Sequence, residues 1–160
     1  MSGAAQRLGV QQAGAPSRSV DHGILGSLVS HAVARANLAG DAAFHTLIDD
    51  RSITPQRFWL LELVGANPGL PQVQLADALA FSRSAVTLVI DYWQARGCVE
   101  RRADPADRRP SRIFLTAEGA SLLAELRTRV LAQDARLCAE LTRAECRELA
   151  RLLAKLRPNE

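Results

Sequence analysis

Long hydrophobic runs are missing from this 160-residue chain. No stretch approaches the roughly 18–20 apolar residues that cross a bilayer, and no hydrophobic segment precedes a small-residue cleavage site near the N-terminus. No membrane role is therefore expected, and a cytoplasmic location is. Cysteine is scarce: Cys98, Cys138 and Cys146 are odd in number and widely spaced, with neither a CxxC pair nor a disulfide framework. They read as buried or idle thiols. Catalytic signatures are absent too, with no nucleophile elbow, phosphate-cradling glycine loop, metal-ligand cluster or carboxylate pair. An enzyme is not expected, and no cofactor is implied. Nor do the histidines suggest a metal. On a continuous helix His31 and His45 would lie roughly 21 Å apart, and Asp41 with His45, one turn apart, makes only half a site.

Aromatic residues are few, at 4%, whereas Ala, Leu and Arg are dense. Those three lose little side-chain freedom in a helix, so the composition predicts a mainly α protein. Residues 1–19 mix Gly, Ala, Gln, Ser and Pro without periodicity and read as a flexible arm. Residues 20–160 are expected to form a single domain.

Helical spacing of apolar residues runs from Asp21 to about Asp50, with a break expected at Gly40. Thr54 then suits a cap, Pro55 the first helical position, and Ile53 a staple against Phe58, before the stop at Asn67-Pro68-Gly69. Leu70 to Ala80 reads as a short helix. Ser82 caps another, running to about Arg96 and stopping at Gly97. Beyond Gly97 the period changes to two, giving strand candidates 98–102 and 112–115 joined by a basic turn. Thr116 caps a long helix, and a last helix begins near Thr142.

Two short helices around a tight turn, followed by a strand, a basic turn and a strand, are the order of a winged helix-turn-helix. Charge agrees with that reading. Residues 81–112 hold seven Arg against four acids, while the remainder is balanced at thirteen and thirteen, so the formal net charge of +3 is local. A basic stretch of this kind fits a surface that meets phosphates. The terminal helices, about 20–50 and 117–157, carry more apolar surface than the unit at about 53–116 can cover, which predicts a two-fold dimer.

Several motifs then point to a family. Ile53-Thr54-Pro55-Gln56-Arg57-Phe58, Asn67-Pro68-Gly69-Leu70, Gln74-Leu75-Ala76, Ser82-Arg83-Ser84-Ala85-Val86-Thr87, Asp107-Arg108-Arg109 and Leu115-Thr116-Ala117-Glu118-Gly119 together resemble the MarR family of bacterial winged-helix regulators. The resemblance implies a homodimer on a pseudo-palindromic double-stranded operator, usually a repressor of a catabolic or resistance operon. It also implies release by a small effector, an aromatic acid or an acyl-coenzyme A thioester. A peroxide-sensing branch uses a Cys near the start of the first helix, and this chain has none before Cys98. A winged module that binds another protein, with no small effector, is the alternative reading.

Residue roles follow. Arg109 matches the wing arginine that enters the minor groove in relatives, where a narrow groove attracts a guanidinium. Arg108 and Arg112 are expected at phosphates, and Asp107 is expected to position an arginine. Ser82, Arg83, Ser84 and Thr87 should face outward if Val86, Val89 and Ile90 face in, with Arg83 and Thr87 as the preferred groove contacts. Leu88 and Tyr92 stand where relatives often carry basic residues, suggesting apolar contact with DNA, and Pro71 replaces a Ser/Thr cap. Trp93 is expected in the core. His31, Arg35, Phe44, His45, Arg57 and Trp59 fall on the helices that border the family's effector cavity, with Arg57 as the partner for a carboxylate.

Overall fold

Hydroxyl side chains set most of the helix starts. In the computed structural model, which describes residues 20–103 and 112–156, Thr54, Ser82, Thr116 and Thr142 each accept a hydrogen bond from the backbone N–H three residues on. Each satisfies one of the orphan donors of a first turn. At Thr142 the arrangement is reciprocal, because the Glu145 carboxylate accepts from the Thr142 backbone N–H. The helices are α1 (Val29–Leu47), α2 (Pro55–Ala66), α3 (Gln72–Leu79), α4 (Arg83–Ala95), α5 (Ala117–Leu137) and α6 (Arg143–Leu153). Three short strands accompany them: β1 (Leu70–Pro71), β2 (Val99–Arg102) and β3 (Arg112–Leu115). The fold is mainly α with a small antiparallel wing sheet. Among the described residues no single helix is long and apolar enough to cross a membrane.

Two expectations are corrected. α1 runs unbroken through Gly40, and the irregularity falls earlier, where a 3-10 turn at Gly23–Ser27 meets extended Leu28. A glycine weakens a helix by about 1 kcal/mol without breaking it, and Gly40 faces Leu137 of α5 at ordinary packing distance. Leu70 and Pro71, expected to begin a helix, form β1 instead, with Leu70 opposite Ile113 and Pro71 opposite Arg112. Two residues carry no detectable period. Pro71 is the residue before α3 and gives it no side-chain cap.

The sheet order is β1-β3-β2. Trp93, Leu60, Leu61, Leu75, Ile90, Val86 and Ile113 are fully buried where α2, α3 and α4 meet the sheet. Phe44 and Ile48 of the α1 end, and Leu123 and Leu126 of α5, extend that core. Residue 119 shows how closely the parts fit. The Thr116 N–H donates to the Cys98 carbonyl at 3.1 Å and its hydroxyl to Gly97 at 2.6 Å, and a Cβ on Gly119 would lie 1.9 Å from the Cys98 carbonyl oxygen. The Gly of Leu-Thr-Ala-Glu-Gly is there because α5 starts against the backbone of the wing. By contrast, α6 buries no residue, and Leu149, Leu152, Leu153 and Leu156 stand exposed with Val29, Val33 and Leu38 of α1.

Candidate nucleic-acid interface and adjoining cleft

α3 and α4 are bent 113° apart, within the range of a helix-turn-helix pair. The turn depends on Ala80, whose φ of 53° lies in the left-handed region. From it α4 presents its first turn outward. Ser82, Arg83 and Ser84 are exposed. Ser82 is occupied as the cap and lies 3.0 Å from the Ser84 hydroxyl, while the Arg83 guanidinium has no partner among the described residues. Thr87 departs from the expectation that it faces outward. It is half-buried, its hydroxyl donates to the Arg83 carbonyl at 2.9 Å, and it accepts from Gln72 of α3. Packing of α3 against α4 has claimed it. Val89 is only half-buried, unlike Val86 and Ile90.

Leu88 projects with 71% of its surface exposed. Tyr92 does not share that face. Its hydroxyl lies 2.6 Å from Ser52 and accepts from Arg96 at 2.7 Å, and the Arg57 guanidinium stacks 3.7 Å from its ring centroid. The tyrosine thus fastens α4 to α2 and to the residues before α2. In the same cluster the Ser52 hydroxyl and backbone N–H, joined by Arg96, hold the Asp50 carboxyl below its ordinary pKa.

The arginine excess is more internal than its count suggests. Arg96 pairs with Asp50, Arg102 with Glu100, and Arg101 with both Asp91 and Gln94 of α4. Arg101 therefore ties the wing strand to α4, a contact that residue spacing along the chain does not reveal. Arg112 is exposed, and one of its amino groups donates to the Gly69 carbonyl at 3.2 Å. Asp107, Arg108 and Arg109 lie outside the described residues, as does the 1–19 arm. The pairing of Arg102 with Arg112 closes β2 and β3 at the end where the basic turn begins.

A cleft of about 200 Å³ opens between α1, α2 and α5. Phe44, Phe58 and Trp59 give it aromatic walls, and Asn37, Asp41, Gln133 and Asp134 give it polar groups. Of the six residues expected around an effector, Phe44 and Trp59 line it. Arg57 does not. Successive residues turn by about 100° around a helix, so Phe58 enters the core, Trp59 the cleft and Arg57 the Tyr92 ring, where its guanidinium also donates to the Ser52 carbonyl. His31 lies 3.0 Å from the Leu25 carbonyl, His45 is exposed and edge-on to Phe44, and Arg35 is exposed on α1. None of these three borders the cleft. Desolvation pushes the Cys98 and Cys138 thiols up in pKa, away from reactive thiolate character.

A family model described as MarR family matches residues 52–110. A putative transcriptional regulatory protein for the hcr operon of Thauera aromatica is 30% identical over 84% of this chain and 82% of its own length. Among solved structures, the transcriptional repressor CouR bound to a 23-mer DNA duplex superimposes with a TM-score of 0.78, at 31% identity over 84% of this chain and 96% of that one. CouR bound to p-coumaroyl-CoA gives 0.75 at 29% identity, over 84% and 95%. A Mycobacterium tuberculosis MarR family protein in complex with salicylic acid gives 0.63 at 27% identity, over 81% and 96%.

Proposed function

Since this chain belongs to the MarR family of transcriptional regulators, we propose that it is a homodimeric repressor of a catabolic or resistance operon, released by an aromatic acid or its coenzyme A thioester. The observation that carries this reading is the first turn of α4, with Arg83 and Ser84 exposed beside a wing that Arg101 ties to the same helix. A helix so presented can enter the major groove, with Arg112 near phosphates and residues 107–109 supplying the wing contacts. The effector reading draws on the complexes of CouR and the M. tuberculosis relative and on the aromatic cleft.

A second copy accounts for the uncovered apolar face. Val29, Val33, Leu149 and Leu153 line a groove of about 490 Å³ between α1 and α6, and α6 has no buried residue of its own. Two recognition helices must stand about 34 Å apart to reach successive major grooves on one DNA face. The cleft borders both α1 and α5 of the dimerising part and α2 of the winged part, so an occupant there can change that separation. Near-complete release needs roughly 10⁴-fold preference for the released state.

The test is fluorescence anisotropy on DNA from upstream of the chain's own gene, with scrambled DNA as control, across a salt series. Sequence-dependent binding that weakens steeply with salt and is reversed by an aryl thioester is the expected result. Equal, feeble, salt-insensitive binding to both DNAs would overturn it in favour of a winged module that binds protein.

A further inference from the structure

α4 buries Val86, Ile90 and Trp93, yet Leu88 on the same helix keeps 71% of its surface exposed. Its polar neighbours are engaged within the protein: Thr87 by Gln72, Tyr92 by Ser52 and Arg57, and the exposed Asp91 by Arg101 of the wing strand. Leu88 stands one turn beyond Ser84, roughly 6 Å further along the helix axis. The outer face of α4 therefore runs from Arg83 and Ser84 to Leu88 and then to a carboxylate that Arg101 neutralises. Between residues 84 and 91, Leu88 is the one exposed side chain. A single exposed leucine needs no explanation on an ordinary surface, but this one continues the face whose first turn supports the DNA-binding reading.

A leucine side chain neither donates nor accepts a hydrogen bond and has no attraction for phosphate. Along the major-groove edges of the base pairs the one sizeable apolar group is the C5-methyl of thymine. The other groups there are hydrogen-bonding atoms, which a leucine would cover without satisfying. Resting on the DNA-binding reading above, we infer that Leu88 is a specificity-determining residue that selects thymine at one position of each operator half-site by packing on its methyl group. The Arg101 clasp supports this role by holding Asp91 in an ion pair, so that no unpaired negative charge on this face repels the duplex. Leu88 thus adds sequence preference without adding a phosphate contact, and experiment can separate the two contributions.

With full-length protein, footprinting first locates the binding site upstream of the chain's own gene. Each thymine in that site is then replaced by uracil, symmetrically in both half-sites, which removes the methyl group and nothing else. Anisotropy titration at fixed salt is expected to find one thymine position per half-site at which uracil weakens binding roughly fourfold, or about fifteenfold for the symmetric pair, as for one buried methyl group at each. Leu88→Ala should bind the thymine and uracil duplexes equally at that position and respond like the parent at the others. It should also keep the parent's salt slope, because no phosphate contact is lost, and its melting temperature, because the side chain lies outside the core. A methyl effect that survives in Leu88→Ala, or the lack of any thymine at which uracil weakens binding, would overturn the proposal and leave the DNA-binding reading intact. A salt slope that falls by about one unit in Leu88→Ala would overturn it too, as the mark of a displaced helix. Failure of the parent protein to prefer its upstream DNA over scrambled DNA would instead overturn the DNA-binding reading, and the thymine assignment with it.

Discussion

Replacing Gly119 with Ala isolates the contact between α5 and the wing. The new Cβ would lie 1.9 Å from the Cys98 carbonyl oxygen and 2.7 Å from its carbon. Neither is the free end of a side chain, so relief requires the start of α5 to retreat by more than an ångström. That movement strains or breaks two hydrogen bonds, Thr116 N–H to Cys98 and Thr116 hydroxyl to Gly97, each contributing about 0.5–1.5 kcal/mol. Overpacking adds about 1–3 kcal/mol, and the better helix propensity of Ala returns up to about 1 kcal/mol. The net loss is about 2–5 kcal/mol. Gly65→Ala is the matched control, because its Cβ would press mainly on the methyl ends of Leu123 at 2.5 Å and Leu115 at 3.2 Å, which can turn aside. Calorimetry at one protein concentration, necessary because a dimer's melting depends on it, should show G119A melting roughly 5–15 °C below the parent, at about 2–4 °C per kcal/mol for a chain of this size. G65A should fall much less. Equal melting of the two variants, or a G119A shift within a degree of the parent, would refute the assignment of this glycine to a backbone contact.

Three further outcomes follow from the same geometry. Arg57→Ala removes the stack on Tyr92 and should lower stability by about 1–2 kcal/mol without changing the affinity for an aryl ligand; loss of ligand affinity at unchanged melting would place Arg57 in the cleft after all. Ala80→Gly relieves a left-handed alanine and should stabilise the helix-turn-helix by about 1 kcal/mol, measured by urea denaturation, where a destabilised variant would contradict that backbone conformation. Because the folded Asp50 carboxyl titrates below its ordinary value, its contribution is present above the usual carboxylate range and is lost as pH falls through the lowered folded pKa. Asp50→Asn should therefore weaken the acid dependence of melting below about pH 4, and an unaltered acid limb would remove Asp50 from that role.

Much of the architecture is local, and local information is written along the chain. A capping hydroxyl bonds an N–H three residues away, so Thr54, Ser82, Thr116 and Thr142 mark helix starts before any tertiary contact exists. Gly97 and the change to period two likewise locate β2 and β3, and the surplus of apolar residues on the terminal helices anticipates the face that α1 and α6 leave uncovered. The sequence by itself determined the order of the helices and of β2 and β3, the helix-turn-helix and the family. Tertiary packing decided where individual side chains went. Arg57 and Tyr92 are 35 positions apart, and their stacking depends on how α2 crosses α4. Thr87 was drawn off the outer face by Gln72, Arg101 was drawn to Asp91, and β1 exists only because β3 lies beside it. The cleft is the clearest case: Asp41 and Gln133 are polar residues on separate helices in the sequence, and they line one cavity with Phe44, Phe58 and Trp59 only where α1 and α5 pack together.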